Sequence, residues 1–172
     1  TIIRSVAVAS GVGDMSIGEK SPAQSFGGII VKLTYPCFLT RGENGDYILE
    51  CVTPSVFSFG KTLEAASKDM HTILLDLVSE ALENKETFPY PDNETRAEGE
   101  EIGVSLTPIE SIKVMLINAM IETKTRQVDI AEKLGIPRQE VTRIINPRYR
   151  TKLDTLDRAI EATGKHLQVS FV

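Results

Sequence analysis

Gln127-Val-Asp-Ile-Ala131-Glu-Lys-Leu134-Gly135-Ile136-Pro137-Arg138-Gln139-Glu140-Val141-Thr142-Arg143-Ile144 reads as two short helices joined by a sharp turn. Val128, Ala131 and Leu134 fall on one helical stripe, Gly135 stands where a helix ends in a left-handed residue, and Pro137 suits the first turn of the next helix. Val141, Ile144 and Ile145 then renew the stripe. The small side chain of Ala131 lets two helices cross steeply at close approach. The opposite face of the second helix carries Arg138, Gln139, Thr142, Arg143 and Asn146, side chains able to reach base edges in a major groove. A plain amphipathic hairpin would explain the apolar stripe alone. The small residue, the glycine and the later Val and Ile together keep the spacing of a DNA-binding helix-turn-helix, and that is the expectation.

The charge distribution supports it where the total does not. The chain is acidic overall, formally -5, which argues against a general nucleic-acid coat. Residues 1 to 100 hold 8 Lys and Arg against 15 Asp and Glu, whereas residues 101 to 172 hold 11 against 9, so one part stands at -7 and the other at +2. Arg143, Arg148, Arg150 and Lys152 crowd the end of the expected recognition helix, and Arg126 and Gln127 open the helix before it. The expected DNA-contacting set is Arg126, Gln127, Arg138, Gln139, Thr142, Arg143, Asn146, Arg148 and Arg150. The cations supply salt-dependent phosphate affinity and the helix face supplies sequence choice. So modest a net charge implies weak binding by one copy, hence a dimer on a two-part site.

A chain of 172 residues holds one large domain or two small ones, and two is the natural parse here. At 41% hydrophobic and 25% charged it has the composition of an ordinary soluble protein, and no apolar run approaches the roughly 20 residues of a membrane span. Residues 1 to 12 lean apolar, with Arg4, and faintly resemble a secretory leader, but Ser and Gly break the run; an ordered extension, a flexible arm and a cloning remnant stay open. Residues 34 to 59 alternate and are rich in Tyr, Phe, Val, Ile and Thr, predicting a three-stranded meander, and residues 61 to 83 show helical periodicity through Leu63, Ala66, Met70, Leu74, Leu77 and Val78. This helix is expected to cover one face of the sheet. The polar stretch 89 to 100 reads as a hinge, which gives a first domain at 29 to 88 and a second at 101 to 172.

In the second domain Glu101 to Leu106 alternates as a short strand, Thr107-Pro108 opens a strongly apolar helix, and a further helix and the strand Leu167 to Val172 follow the motif pair. Two short strands cannot bury both faces of a ribbon by themselves, so they are expected to pair or pack between subunits. The fold class is therefore α+β: a small antiparallel sheet with one covering helix, then an all-helical unit flanked by short strands. Cys37 and Cys51 face each other across a hairpin if its turn is centred on Asn44; a disulfide is geometrically possible, and two reduced, partly buried thiols are the expectation for a cytoplasmic DNA-binding protein. Two cysteines and the distant His71 and His166 do not make a zinc site by spacing.

The residues resemble the HicB-type antitoxins of bacterial toxin-antitoxin pairs over about residues 30 to 172. The likeness rests on Tyr35-Pro36, on Gly45-Asp46-Tyr47 entering a strand, and on Gly60-Lys-Thr62-Leu-Glu64-Ala65-Ala66 opening the helix. It continues through Ile102-Gly-Val-Ser-Leu106, Lys113-Val-Met-Leu-Ile-Asn118-Ala119, the motif helices and Gly164-Lys165. Residues 1 to 28 match nothing in the family. The resemblance implies a first domain like a reduced RNase H-type sheet-and-helix unit that binds a small basic RNA-cleaving toxin of the HicA type and covers its catalytic histidine. It implies a second domain like repressor helix-turn-helix units, binding the operator of its own operon; paired second domains on a palindromic operator, as a homodimer, with a tetramer formed through the first domain, are the mechanistic expectation that follows. Some members carry a ribbon-helix-helix instead, and this chain departs from them. An acidic first domain complements a basic toxin surface; Glu43, Asp46, Glu64 and Asp69 are the candidate toxin-facing residues, each alone more ordinary as solvated surface.

No cofactor, metal or catalytic group is expected. A nuclease of RNase H type needs several carboxylates converging on metal ions, and here they are spread over loops and exposed helix positions. His71, in an apolar helical stretch, is expected to be packed or hydrogen-bonded, and Gly11-Val-Gly13 lacks the context of a phosphate cradle. The competing expectation is a repressor whose first domain senses a small molecule in an apolar pocket.

Overall fold

The computed structural model describes residues 6 to 10, as backbone, and residues 32 to 169. The glycine stretch Gly11-Val-Gly13 and most of residues 1 to 28 therefore lie outside the described residues.

The meander forms as expected. Strand β2 (Thr34–Arg41) turns through Gly42–Asp46, where the Gly42 amide donates to Asp46 O at 2.9 Å, into β3 (Tyr47–Cys51), and β4 (Val56–Gly60) returns beside it. The register sets Arg41 opposite Tyr47 and Cys37 opposite Cys51, which centres the hairpin on Asn44; both thiols are buried and free. Helix α1 (Leu63–Asn84) starts at Thr62, whose Oγ1 accepts from the Ala65 amide at 3.1 Å. Ala66, Met70, Leu74 and Val78, four apart, make its buried stripe against Leu33, Tyr35, Leu49 and Cys51 of the sheet. Ser58, fully buried on β4, ties sheet to helix by donating from Oγ to Ala66 O at 2.9 Å.

Residues 85 to 99 then cross back to the sheet, and β5 (Glu100–Ser105) pairs antiparallel with β2 from Thr34↔Ser105 to Leu39↔Glu100. The sheet has four strands in the order β4-β3-β2-β5. This differs from the expectation that the strand near 101 to 106 belongs with the C-terminal helices and pairs between subunits. The free edge of β2 provides inside the chain the hydrogen-bonding partners that a lone strand lacks. The stretch expected to act as a hinge is also held at its start. Phe88 is buried, its amide donates to Asn118 Oδ1 at 2.8 Å and its carbonyl accepts from Asn118 Nδ2 at 2.9 Å, while Tyr35 donates to Pro89 O at 2.9 Å.

Helix α2 (Pro108–Glu122) is the spine. Its N-terminus carries a capping box, with Thr107 Oγ1 accepting from the Glu110 amide and Glu110 Oε2 accepting from the Thr107 amide at 2.7 Å. Every residue from Ser111 to Met120 is buried, as expected of a helix packed on all sides. Val114, Met115 and Ile117 face the sheet core, whereas Ile112, Leu116 and Met120 face a second core built from α3 (Gln127–Leu134), α4 (Arg138–Ile145) and α5 (Leu153–Glu161). The two cores share this one helix. Strand β6 (Lys165–Val169) pairs antiparallel with β1 (Val6–Ser10), from Val6↔Val169 to Ser10↔Lys165. That is the second correction: the terminal strand finds its partner in the N-terminal extension of the same chain. His71 is hydrogen-bonded, its Nε2 lying 3.0 Å from Glu110 Oε2.

Candidate functional site

Helix α3 ends as its sequence predicts. Gly135 adopts φ 67°, and the Ile136 amide donates back to Ala131 O at 3.0 Å, satisfying a terminal carbonyl. Pro137 is the residue before α4 rather than within its first turn, and its fixed φ of -62° sets the direction in which the helix leaves. At the start of α3 the Asp129 carboxylate accepts from the Arg126 amide at 2.7 Å and from its guanidinium at 2.8 and 3.1 Å. Hydrogen bonding from Arg126 holds the Asp129 carboxyl down to about 2.

On α4, Val141, Ile144 and Ile145 are buried, and Arg138, Gln139, Glu140, Thr142 and Arg143 are exposed. The two helices are joined across their polar faces: Thr142 Oγ1 donates to Gln127 Oε1 at 3.0 Å. Arg126, Gln127, Arg138 and Thr142 thus lie together at one end of the helical pair, and Arg143 faces Glu140 at 3.6 Å. Past α4, Asn146 Oδ1 accepts from the Arg148 amide at 2.9 Å, and Arg148 is ion-paired with Asp76 of α1. Arg150 is exposed.

One residue of this region escapes inspection of the motif. Lys113, at the centre of α2, is fully buried, and its Nζ donates to Asn146 O at 2.7 Å and to Tyr149 O. It fastens the turn that carries Arg148 and Arg150 to the spine. Burial pulls its pKa down to about 8, with Glu110 opposing. The sequence signal was a single lysine inside an otherwise apolar helical run.

The acidic candidates are less concentrated. Glu43 and Asp46 share the β2–β3 turn, and Asp46 is paired with Lys61 at 2.8 Å. Glu64 and Asp69 are both exposed on α1, but five residues of helix set them about 140° apart around the axis. Sequence reading missed an exposed aromatic pair on the same half. Phe57 and Phe59, 50% and 61% exposed, point the same way from edge strand β4, with Glu50 and Ile48 as their cross-strand neighbours.

Cys37 and Cys51 face each other in the sheet core as free thiols, Cys37 Sγ donating to Tyr35 O at 3.6 Å and Cys51 Sγ to Thr53 O at 3.5 Å; the neighbouring Cys51 and burial push the Cys37 thiol up, while the neighbouring Cys37 pulls Cys51 down. Among the described residues no group of three or more His, Cys, Asp or Glu is placed to hold a metal ion.

No family model matches the chain. Among curated proteins it is similar to Antitoxin HicB of Escherichia coli (strain K12), with 30% identity over 141 residues covering 81% of this chain and 100% of that protein. It is likewise similar to Antitoxin HicB 1 of Photorhabdus laumondii subsp. laumondii, 30% identical over 146 residues, or 83% of this chain and 89% of that one. Antitoxin HicB of Pseudomonas fluorescens (strain Pf0-1) is 25% identical over 130 residues, 74% of this chain and 87% of that protein. Likeness of this extent, running the full length of the Escherichia coli relative, makes the chain a member of the HicB antitoxin family.

Proposed function

We propose that the chain is the antitoxin of a toxin-antitoxin pair, neutralising a small basic RNA-cleaving toxin of the HicA type with its sheet half. In the same reading, α3 and α4 form a helix-turn-helix with which the protein represses its own operon. The observation that carries the DNA-binding part is the division of α4, with Val141, Ile144 and Ile145 inside and Arg138, Gln139, Thr142 and Arg143 outside. A helix polar on one face and anchored on the other by three apolar residues can enter a major groove without disturbing its own core. Arg148 and Arg150 supply phosphate contacts beside it.

The toxin-binding part rests on family membership and on charge: residues 1 to 100 carry 8 basic against 15 acidic side chains. A basic toxin surface evolved for phosphates is attracted to such a half and is closed to RNA once occupied. The carboxylates Glu43, Asp46, Glu64 and Asp69 contribute as a field, and Phe57 and Phe59 offer the apolar anchor such an interface needs at its centre. The filled interior of the sheet half, with Leu33, Tyr35, Leu49, Met70 and Leu74 essentially inaccessible, favours this over small-molecule sensing. No catalytic role is assigned.

A palindromic operator requires paired recognition helices, so the DNA-binding form is a homodimer through the C-terminal half, with a tetramer through the sheet half. Leu153 on α5, 45% exposed, is a candidate element of the dimer surface. No helix of the described residues is long and apolar enough to cross a membrane. The cytoplasm, where operator DNA and messenger RNA are both found, is the site of action proposed.

Co-expression with the small basic protein encoded beside this chain tests the first part: the two co-purify and toxicity disappears. Failure of that protein to associate removes the antitoxin reading. For the second, Gln139→Ala with Arg143→Ala weakens binding to DNA from the chain's own upstream region by about 1–3 kcal/mol per lost base contact, and leaves toxin neutralisation intact. Unchanged affinity in a gel shift refutes the assignment of α4.

A further inference from the structure

A groove of about 730 Å³ opens where four helix ends meet, the C-termini of α1 and α2 and the N-termini of α3 and α4. Its wall carries Lys85, Lys124, Arg126 and Arg138, and none of its lining residues is acidic. In a chain of formal charge -5, four cations around one opening without a carboxylate among them is an exception. Arg126 is neutralised by Asp129, whereas Lys85, Lys124 and Arg138 make no ion pair among the described residues. The floor is apolar, formed by Leu82, Met120 and Val128.

A cation at a helix C-terminus has an ordinary explanation, since it complements the partial negative charge there. Lys85 and Lys124 exceed it. Both adopt left-handed backbone, with φ 58° and 56°, Lys85 directly after α1 and Lys124 two residues past α2. Glycine is the usual occupant of that conformation because a Cβ makes it costly. A lysine further along the last turn would complement the helix end without that cost. Here the side chain stands at the strained position itself, and at two separate helix ends that line one groove.

The groove also borders the face already described, through Gln127 and Arg138. A sugar-phosphate strand has the matching chemistry: a row of negative charges for the wall and deoxyribose carbons for the floor. We propose that the DNA backbone flanking the site read by α4 crosses this groove, with Lys85 and Lys124 contacting its phosphates. The inference rests on α4 being the recognition helix. It extends DNA contact onto the end of α1, and so onto the half of the molecule otherwise assigned to the toxin.

The test uses the full chain and a duplex from immediately upstream of its own coding region, titrated over a salt series, with a scrambled duplex beside it. Lys85→Gln with Lys124→Gln lowers the slope of log affinity against log salt by about 1.8, equivalent to roughly tenfold per lysine near 0.1 M salt, with preference for the upstream duplex unchanged. Lys85→Gly with Lys124→Gly, which relieves the backbone, gives the same loss with a melting temperature equal to or above that of the parent, separating charge from folding. An unchanged slope in both variants overturns the inference. If Gln139→Ala with Arg143→Ala still abolishes sequence preference in that case, the reading of α4 survives; if it too has no effect, both fall. Lysine variants that bind DNA normally but lose affinity for the toxin would assign the groove to a protein and equally overturn the proposal.

Discussion

Asn118 joins the two halves of the molecule, and its removal has a calculable consequence. The side chain is 2% exposed and bonds both backbone groups of Phe88, itself 3% exposed, at 2.8 and 2.9 Å. In Asn118→Ala one donor and one acceptor lose their partners while still shielded from water, at about 1–3 kcal/mol each, so the variant is destabilised by about 2–6 kcal/mol. That is a large share of the roughly 5–15 kcal/mol stability of a typical domain. Asn118→Asp keeps the shape, and its ionised carboxylate accepts from the Phe88 amide but sets a second oxygen against the Phe88 carbonyl. Protonation restores a donor there, so the folded-state pKa of the new carboxyl lies above its unfolded value of about 3.9. The folded state then binds more protons than the unfolded one, and stability falls as pH rises from that value through the folded pKa. Urea denaturation followed by circular dichroism at pH 7 gives a lower midpoint for both variants at constant m-value, and the gap between Asn118→Asp and the parent narrows at acid pH. Asn118→Ala within about 0.5 kcal/mol of the parent, with the Phe88 amide still protected from exchange, would refute the claim that these two bonds hold the crossing segment.

Gly60→Ala places a Cβ 2.4 Å from the Ala66 amide nitrogen, which forces the first turn of α1 away from β4, and a cost of about 1–3 kcal/mol or more is expected in a thermal melt; Gly135→Ala, whose Cβ meets open space, carries only the cost of its left-handed backbone, about 1–2 kcal/mol. The Asp129 carboxyl titrates at about 2 when followed by carbon NMR, so its contribution to stability is complete above the ordinary carboxylate range and is lost as pH falls towards that value. Arg126→Ala removes the two guanidinium bonds but keeps the backbone amide at 2.7 Å, so the midpoint rises part of the way towards about 3.9, and an unmoved midpoint contradicts the guanidinium as the leading cause. Cys37 and Cys51, buried opposite each other with the Cys37 thiol pushed up, react with a thiol reagent only as fast as the sheet opens. Their rate therefore rises with urea in step with unfolding, and rapid labelling of native protein would contradict the packing.

The elements were legible wherever the signal was local. The hairpin turn about Asn44, the stripe from Ala66 to Val78, the helix start at Thr107-Pro108, and the Gly135 stop each depend on residues within a few positions of one another. Each was readable because helix periodicity, caps and turns are properties of short segments. The exposed residues of α4 were legible for the same reason. What escaped were particular pairings between distant segments: β5 completing the sheet beside β2, β6 finding β1, Lys113 reaching the turn after α4, and Lys85 meeting Lys124 and Arg138 around one groove. An alternating strand states which face it buries and says nothing about which edge will accept its hydrogen bonds. A lone lysine in an apolar helix announces a buried charge without naming the carbonyls that receive it. Those choices belong to the folded chain, because only close packing brings together groups tens of residues apart and decides which polar atoms find partners once water has left.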